Sequence, residues 1–205
     1  MQAERLLAGK RLMKENGVTT EFLTVGHSNR ELGAFLHLLQ EFQIERVVDV
    51  RKMTRSHANP QFDEPCLQDA LSRKDIAYEH LVALGGLRGK TPGVPASLNG
   101  NWRNASFRRY ADYALTEPFR QGLGQLMQTG AKQRCVIMCA EALWWRCHRR
   151  IVSDHLIAHG CHVQHILKPG HAQEAQLTLG AVVREDLSVI YPASEPGNLA
   201  AGSQP

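Results

Sequence analysis

The sequence predicts an α/β fold, a three-layer sandwich around a mainly parallel sheet of about five strands. Two observations lead to this prediction. Short runs of apolar and β-branched residues alternate along the chain with longer segments whose apolar residues recur at helical spacing. Most connections between these segments are short, which is typical of β-α-β units with parallel strands and right-handed crossovers.

The individual elements follow from these two patterns. Apolar runs of strand length predict strands at residues 22–25, 46–50, 76–81, 135–138 and 162–167. Helical spacing of apolar side chains predicts helices at residues 31–43, 64–73, 107–115, 118–128 and 144–159. Ser28 or Asn29 is the expected cap of the first helix, and Gly160 is expected to end the last one.

One domain is predicted over residues 21–193, because a chain of 205 residues with 43% hydrophobic content can bury one globular core. We expect residues 1–20 to form an N-terminal extension and residues 194–205 a disordered tail. The segment 84–104 is rich in Gly, Pro and Asn. Loops of that length in a compact domain commonly carry function, so we expect this one to close over a site.

The composition limits the classes of function. Lys and Arg number 24 against 20 Asp and Glu, which permits an anionic ligand without requiring nucleic acid. The five Cys include no Cys-x-x-Cys pair. No segment has the apolar core of a signal peptide or the length of a membrane span. We therefore expect a cytoplasmic protein with reduced thiols and no membrane partner.

Two motifs directly follow the first two predicted strands. Gly26-His27-Ser28 makes a tight turn before a helix, where N–H groups can bind a carboxylate or phosphate, although a plain helix cap would use the same residues. Asp49 and Arg51 are two positions apart, so their side chains point to the same side of the sheet. Pairing would orient the guanidinium for bidentate binding of an anion, and the alternative is a purely structural ion pair.

The segment after the fourth strand gathers Cys139, Glu141, Cys147, His148 and Arg149. Three chemistries are open there: a thiol nucleophile, a zinc site, or acid–base catalysis by Glu141 above packed thiols. The gap between the thiols is not a usual zinc spacing, and the nearest arginine does not complete a Cys-x5-Arg phosphate loop. We expect Cys147 to be buried and inert on the last helix, with Cys139 bordering the pocket.

Arginines and aromatic residues intermingle near the end of the long loop, among them Trp102 and Tyr110. Guanidiniums beside aromatic rings suit phosphates and bases. The same aromatic side chains would also serve to anchor the loop to the core. Nucleic-acid contact is the less favoured of the two interpretations, because the net charge is modest.

As a set, these motifs resemble the family of domains of unknown function numbered 488, over roughly residues 22–167. The motifs are Gly26-His27-Ser28, Asp49-Val50-Arg51, Cys139-Ala140-Glu141 and Cys147-His148-Arg149. The resemblance implies a bacterial-type cytosolic α/β protein. It implies no particular activity, so the mechanism must come from the residues themselves.

We expect the strand ends to form one polar pocket that binds or acts on a phosphate-bearing nucleotide or nucleic-acid ligand. The expected ligand-binding residues are Ser28, Asp49, Arg51, Trp102, Tyr110, His148 and Arg149. The expected catalytic residues are His27, Cys139 and Glu141. Two alternatives stay open: a non-catalytic module that senses a nucleotide or recruits a partner, and a zinc or thiol redox protein whose weak metal candidates are Cys139, Cys147 and His148. The sequence indicates no particular cofactor and no oligomeric state.

Overall fold

The computed structural model describes residues 20–193. The predicted tail and all but the last residue of the predicted N-terminal extension lie outside the described residues. The main sheet contains β1 (Glu21–Gly26), β2 (Arg46–Asp49), β3 (Ala77–His80), β4 (Cys135–Cys139), β5 (His162–Lys168) and β6 (His171–Glu174). The α-helices are α1 (Leu32–Glu41), α2 (Glu64–Ser72), α3 (Ala105–Tyr113), α4 (Glu117–Gly130) and α5 (Arg149–Ala158). Short 3-10 turns lie at Pro60–Phe62, Val82–Leu84 and Trp144–Arg146, and a small hairpin pairs β7 (Val182–Val183) with β8 (Val189–Ile190).

Strand β1 lies in the middle of the main sheet, whose order is β3-β2-β4-β1-β5-β6. It pairs in parallel with β4 and β5, and β2 pairs in parallel with β3 and β4. Strand β6 runs antiparallel to β5. Gly26 lies opposite Cys139 and Asp49 lies opposite Met138, so the carboxyl ends of β1, β2 and β4 meet at one edge. The predicted α/β fold with a mainly parallel sheet is confirmed.

Helices cover both faces of the sheet and create two hydrophobic cores. Helices α1 and α2 pack on the face that carries Leu23 and Val47. Helices α3, α4 and α5 pack on the opposite face, which carries Phe22 and Val48. Successive strand residues point to opposite faces, and both faces of these central strands are therefore apolar. None of the helices between residues 20 and 193 has the length and apolarity that a membrane crossing requires.

The sheet has one strand more than the sequence predicted. Strand β6 follows β5 through a turn at Gly170, whose φ of 66° favours glycine. Three of its four residues are polar and its side chains are mostly exposed, so it has no apolar run from which to predict it. It occupies the edge of the sheet, where polar side chains reduce pairing with other chains.

The last predicted helix starts later than residue 144. Trp144–Arg146 forms a 3-10 turn, and Cys147 has the extended conformation, with φ −120° and ψ 147°. Helix α5 then begins at Arg149. Cys147 therefore precedes the helix, contrary to the expectation that it lies on the last helix.

The predicted cap of the first helix is also wrong. Ser28 has a φ of 51°, and the residue at the cap position of α1 is Glu31, whose side chain makes no capping hydrogen bond. Ser28 therefore belongs to the turn after β1, which brings the chain across the end of the sheet before the helix starts.

Gly26 lies where another segment crosses the end of β1, and this contact gives a test of the fold. A Cβ at Gly26 would lie 2.0 Å from the backbone carbonyl oxygen of Glu141. We predict that Gly26→Ala lowers the free energy of unfolding by about 3 kcal/mol or more, because backbone cannot yield as a flexible side chain does. Gly33→Ala on α1 is the control, since a Cβ there meets nothing within 4 Å. Urea denaturation of the two variants should separate them clearly, and equal stability would contradict the contact.

Candidate functional site

A polar cavity of about 430 Å³ opens at the carboxyl edge of β1, β2 and β4. Three segments build it: the turn after β1, the loop after β2 and the residues that follow β4. Its lining consists of His27, Ser28, Asn29, Arg51, Met53, Arg55, Ser56, Asn59, Ala140, Glu141 and Ala142. Ligands of open parallel sheets bind at this edge, since the chain leaves the strands there in opposite directions.

A buried ion pair fixes one wall of the cavity. Arg51 donates from Nε to both carboxylate oxygens of Asp49 at 2.9 Å, and from Nη2 to one of them at 2.6 Å. The Tyr78 hydroxyl donates to the same carboxylate at 2.8 Å. Burial alone would lower the pKa of Arg51, but the hydrogen bonds and charge of Asp49 raise it above its ordinary value. The guanidinium is therefore charged and held in one orientation.

His27 holds the other side of the same guanidinium. Its Nδ1 donates to the carbonyl of Ser28 at 2.8 Å, so its Nε2 is the acceptor for Nη1 of Arg51 at 3.3 Å. The ring stacks on Phe62 with 4.1 Å between centroids. Burial lowers the pKa of His27 to about 4, and the positive charge of Arg51 acts in the same direction. The hydrogen bond to Ser28 opposes both effects. The imidazole is therefore neutral at pH 7 and both of its nitrogens have partners inside the protein.

The residues after β4 cross the end of β1 and carry Glu141 to the cavity. Hydrogen bonds from the backbone N–H groups of His27 and Ser28 to the carbonyls of Cys139 and Ala140, at 3.0 and 2.9 Å, hold the crossing. The Glu141 carboxylate is half-buried and lines the cavity. One of its oxygens accepts from the backbone N–H of Leu143 at 3.1 Å. This bond closes the turn and leaves the second oxygen available to a ligand.

Arg149 lies behind this segment and does not line the cavity. It is 1% exposed, and its guanidinium donates to the Glu141 carbonyl at 2.5 Å, the Thr24 hydroxyl at 3.2 Å and the Cys147 sulfur at 3.3 Å. The guanidinium of Arg149, which was expected to bind the ligand, makes its contacts inside the protein. The sequence could not reveal this, because a guanidinium at the first residue of a helix reaches inward or outward with equal ease.

Cys139, Cys147 and His148 form a separate cluster on the face covered by α3, α4 and α5. The sulfur atoms lie 4.0 and 3.7 Å from Nδ1 of His148. The hydrogen bond from Cys139 to Cys147, with burial, raises the pKa of the Cys139 thiol. Burial opposes ionisation of Cys147, but that same hydrogen bond and the adjacent His148 and Arg149 bring the pKa of Cys147 below its ordinary value. None of the three residues lines the cavity.

Trp102 and Tyr110, the two aromatic residues expected to bind the ligand, pack against other side chains of the protein and do not line the cavity. Trp102 stacks on Phe107 with 4.9 Å between ring centroids. Tyr110 is fully buried, donates from its hydroxyl to the Leu84 carbonyl at 2.6 Å, and packs its ring 4.9 Å from that of His148. No residue of the segment 84–104 lines the cavity either. This loop packs along α3, where Asn99 donates to Asp112 at 2.8 Å.

The loop after β2 also contributes to the lining, which was not predicted from the sequence. Met53, Arg55, Ser56 and Asn59 all line the cavity, and Arg55 is exposed. An indication was available, because this loop continues directly from Arg51 across the carboxyl edge of the sheet. Its residues form no recognisable motif, so only their position beside Asp49 and Arg51 identifies them.

The fold and the cavity together define an α/β protein with a polar site at the carboxyl edge of a mainly parallel sheet. Residues 31–156 match the family described as "Domain of unknown function DUF488". This match covers more than half of the chain, which therefore belongs to the DUF488 family and confirms the resemblance of the motifs. No curated protein and no solved structure matches the chain.

The buried histidines predict how stability depends on pH. Burial lowers the pKa of His27 to about 4 and those of His155 and His165 to about 3, against 6.5 for the free side chain. Below pH 6.5 the unfolded chain binds protons that the folded protein excludes, so the free energy of unfolding falls as pH decreases, by up to about 1.4 kcal/mol per histidine per unit.

Urea denaturation between pH 8 and pH 5.5 measures this effect. We expect His27→Gln to reduce the pH dependence, and His37→Gln on the exposed side of α1 to leave it unchanged. A His27→Gln variant with the pH dependence of the original chain would show that the folded protein does accept a proton on His27.

Proposed function

We propose that the cavity binds a phosphate-bearing ligand, a nucleotide or a nucleic-acid component, and that Glu141 acts on it as a general acid or base. The observation that carries the proposal is the state of Arg51. Its guanidinium is locked at the cavity wall by Asp49 on one side and His27 on the other. A cation oriented before the ligand arrives binds an anion without the loss of side-chain entropy.

The hydrogen bonds of Arg51 leave capacity for a ligand. A guanidinium carries five N–H groups. The described contacts use three of them, one each from Nε and Nη2 to Asp49 and one from Nη1 to His27. One N–H on each terminal nitrogen therefore remains, on a side chain that lines the cavity. Two N–H groups of one guanidinium can bind two oxygens of a phosphate.

Two guanidiniums in the cavity lining offer charge-assisted hydrogen bonds to an anion, while Glu141 adds one negative charge to the same lining. The Asp49 carboxylate is fully buried and is neutralised by Arg51, while the neighbouring Arg55 adds an exposed positive charge. Ser28, Asn29, Ser56 and Asn59 supply hydroxyl and amide groups in the same lining. A phosphate would bind between the two guanidiniums, with these polar groups as further partners.

The size of the cavity favours a ligand larger than phosphate alone. A volume of about 430 Å³ lies within the usual range for small-molecule sites. Met53 and Ala142 provide apolar contact for a sugar or base. The second oxygen of Glu141 would then face a hydroxyl or amino group of the ligand, from which it accepts a hydrogen bond or removes a proton.

One contact favours the second candidate function, a non-catalytic binding module. Glu141 accepts the backbone N–H of Leu143 and so stabilises the turn that forms the cavity wall. A carboxylate with that structural role needs no part in a reaction. The two functions differ in what they require of Glu141, because glutamine preserves the acceptor oxygen for Leu143 but cannot exchange a proton.

Ligand binding is tested with Arg55→Gln. We expect nucleoside monophosphates or diphosphates, or a short single-stranded oligonucleotide, to raise the Tm of the original chain by about 5–10 °C at a concentration near 100 Kd. Arg55→Gln should fold normally and bind at least about tenfold more weakly, since it removes one charge-assisted hydrogen bond.

Arg73→Gln is the matched control, because Arg73 is exposed at the far end of α2, where it pairs with Asp69. Ligands should stabilise this variant as they stabilise the original chain. The absence of any shift in Tm across nucleotides, oligonucleotides and inorganic phosphate would contradict the proposed site.

Catalysis is tested with Glu141→Gln. We expect the variant to bind the stabilising ligand within about twofold of the original chain and to lose at least about 100-fold in turnover, measured by mass spectrometry of the incubated ligand. Glu117→Gln, at an exposed carboxylate on α4, is the control. Equal turnover in Glu141→Gln would remove Glu141 from the mechanism. Binding without turnover in the original chain would identify the binding module instead.

A further inference from the structure

We propose that Cys139, Cys147 and His148 bind a zinc ion through two sulfur atoms and one imidazole nitrogen. Their potential ligand atoms all lie within 4.8 Å of one another. Sulfur and nitrogen from Cys and His are the ligands that zinc prefers in proteins. The site lies under the layer of α3, α4 and α5, and it shares no residue with the lining of the anion cavity. The inference therefore stands independently of the proposed function.

The distances fit a tetrahedral ion. With zinc–sulfur bonds of about 2.3 Å and zinc–nitrogen bonds of about 2.0 Å, the edge between sulfur and nitrogen of a tetrahedron is about 3.6 Å. The sulfur atoms of Cys147 and Cys139 lie 3.7 and 4.0 Å from Nδ1 of His148. These two sulfur–nitrogen distances need shifts of only a few tenths of an ångström. The two sulfur atoms lie within 4.8 Å of each other, and side-chain rotation on binding would bring them to the edge of about 3.8 Å that a tetrahedral zinc site has between two sulfur ligands.

The imidazole of His148 is oriented as a metal ligand. Its Nε2 lies 3.1 Å from the backbone carbonyl of Val50, which can only accept, so Nε2 carries the hydrogen. The lone pair therefore resides on Nδ1, the nitrogen that faces both sulfur atoms. Metal-binding histidines commonly donate their other ring nitrogen to a backbone carbonyl or carboxylate in this way.

Gly86 leaves space beside the same nitrogen. A Cβ on Gly86 would lie 2.8 Å from Nδ1 of His148, which is closer than side chains approach one another. The glycine thus leaves room next to Nδ1 that any other residue would reduce. On the far side, Arg149 donates from Nε to the Cys147 sulfur at 3.3 Å, a contact that stabilises a coordinated thiolate.

Coordination explains the cluster better than a thiol nucleophile does. Cys147 is 3% exposed and Cys139 is 8% exposed, so an organic substrate cannot reach either sulfur, whereas a metal ion can. Among the described residues three side chains supply ligand atoms. We assign the fourth position to water, as in zinc sites that keep three protein ligands.

The experiment measures metal binding by the full chain. The purified protein is freed of metal with a chelator, and Zn²⁺ or Co²⁺ is added under reducing conditions. We expect about one equivalent of Zn²⁺ per chain, an increase in Tm of several °C, and visible and near-ultraviolet bands with Co²⁺ that report thiolate coordination.

Variants locate the site. Cys139→Ser, Cys147→Ser and His148→Gln should each lower the affinity for Zn²⁺ at least tenfold. Each serine variant should also weaken the thiolate band with Co²⁺, because it removes one of the two sulfur ligands. Cys135→Ser and Cys161→Ser are the controls, since both thiols are buried but lie outside the cluster. Gly86→Ala retains all three ligands and should still weaken binding, while Gly89→Ala, where a Cβ meets nothing within 4 Å, should not.

Three results would overturn the assignment. The first is that metal added to the original chain leaves its Tm unchanged and that added Co²⁺ produces no thiolate band. The second is a Zn²⁺ affinity that is unchanged in both single variants, Gly86→Ala and Cys139→Ser. The third is a Cys139–Cys147 disulfide that mass spectrometry detects in protein purified with Zn²⁺ present. If the cysteine variants fail to fold, the metal titration of the original chain and the Gly86 and Gly89 variants still decide the question.

Discussion

The guanidinium of Arg149 joins three segments that are far apart in the sequence. It binds the hydroxyl of Thr24 in the central strand, the carbonyl of Glu141 at the cavity wall, and the sulfur of Cys147 in the thiol cluster. Burying a charge is costly unless it is compensated. None of these partners is a carboxylate, so the sulfur of Cys147 is the group among them that can supply a negative charge. The ionisation of that thiol and the burial of Arg149 therefore depend on each other.

This arrangement connects the two sites on either side of the end of β4. Cys139 ends β4 and enters the thiol cluster, and Glu141, two residues later, reaches the cavity. The chain then turns back and brings Cys147 and His148 next to Cys139. Arg149 thus contacts both the thiol cluster, at the Cys147 sulfur, and the segment that forms the cavity wall, at the Glu141 carbonyl.

The sequence predicted the parts of the protein that depend on periodicity. The apolar runs identified five strands, and the spacing of two residues predicted that Asp49 and Arg51 face the same side. The orientation of side chains outside the regular strands and helices could not be predicted from this periodicity. The inward course of Arg149 depends on a helix that begins at that residue rather than at Trp144. The cavity role of Arg55 depends on the path of an irregular loop, which no local pattern encodes.

The central position of β1 has a consequence for how the chain is made. This apolar strand is synthesised before its neighbours β4 and β5, which follow it by more than a hundred residues. At ordinary rates of synthesis the strand waits on the order of ten seconds for its first partner, with both edges open. The residues that match the family, 31–156, contain β4 without β1. A fragment cut to the matched residues would therefore lack the strand that lies between β4 and β5 in the sheet.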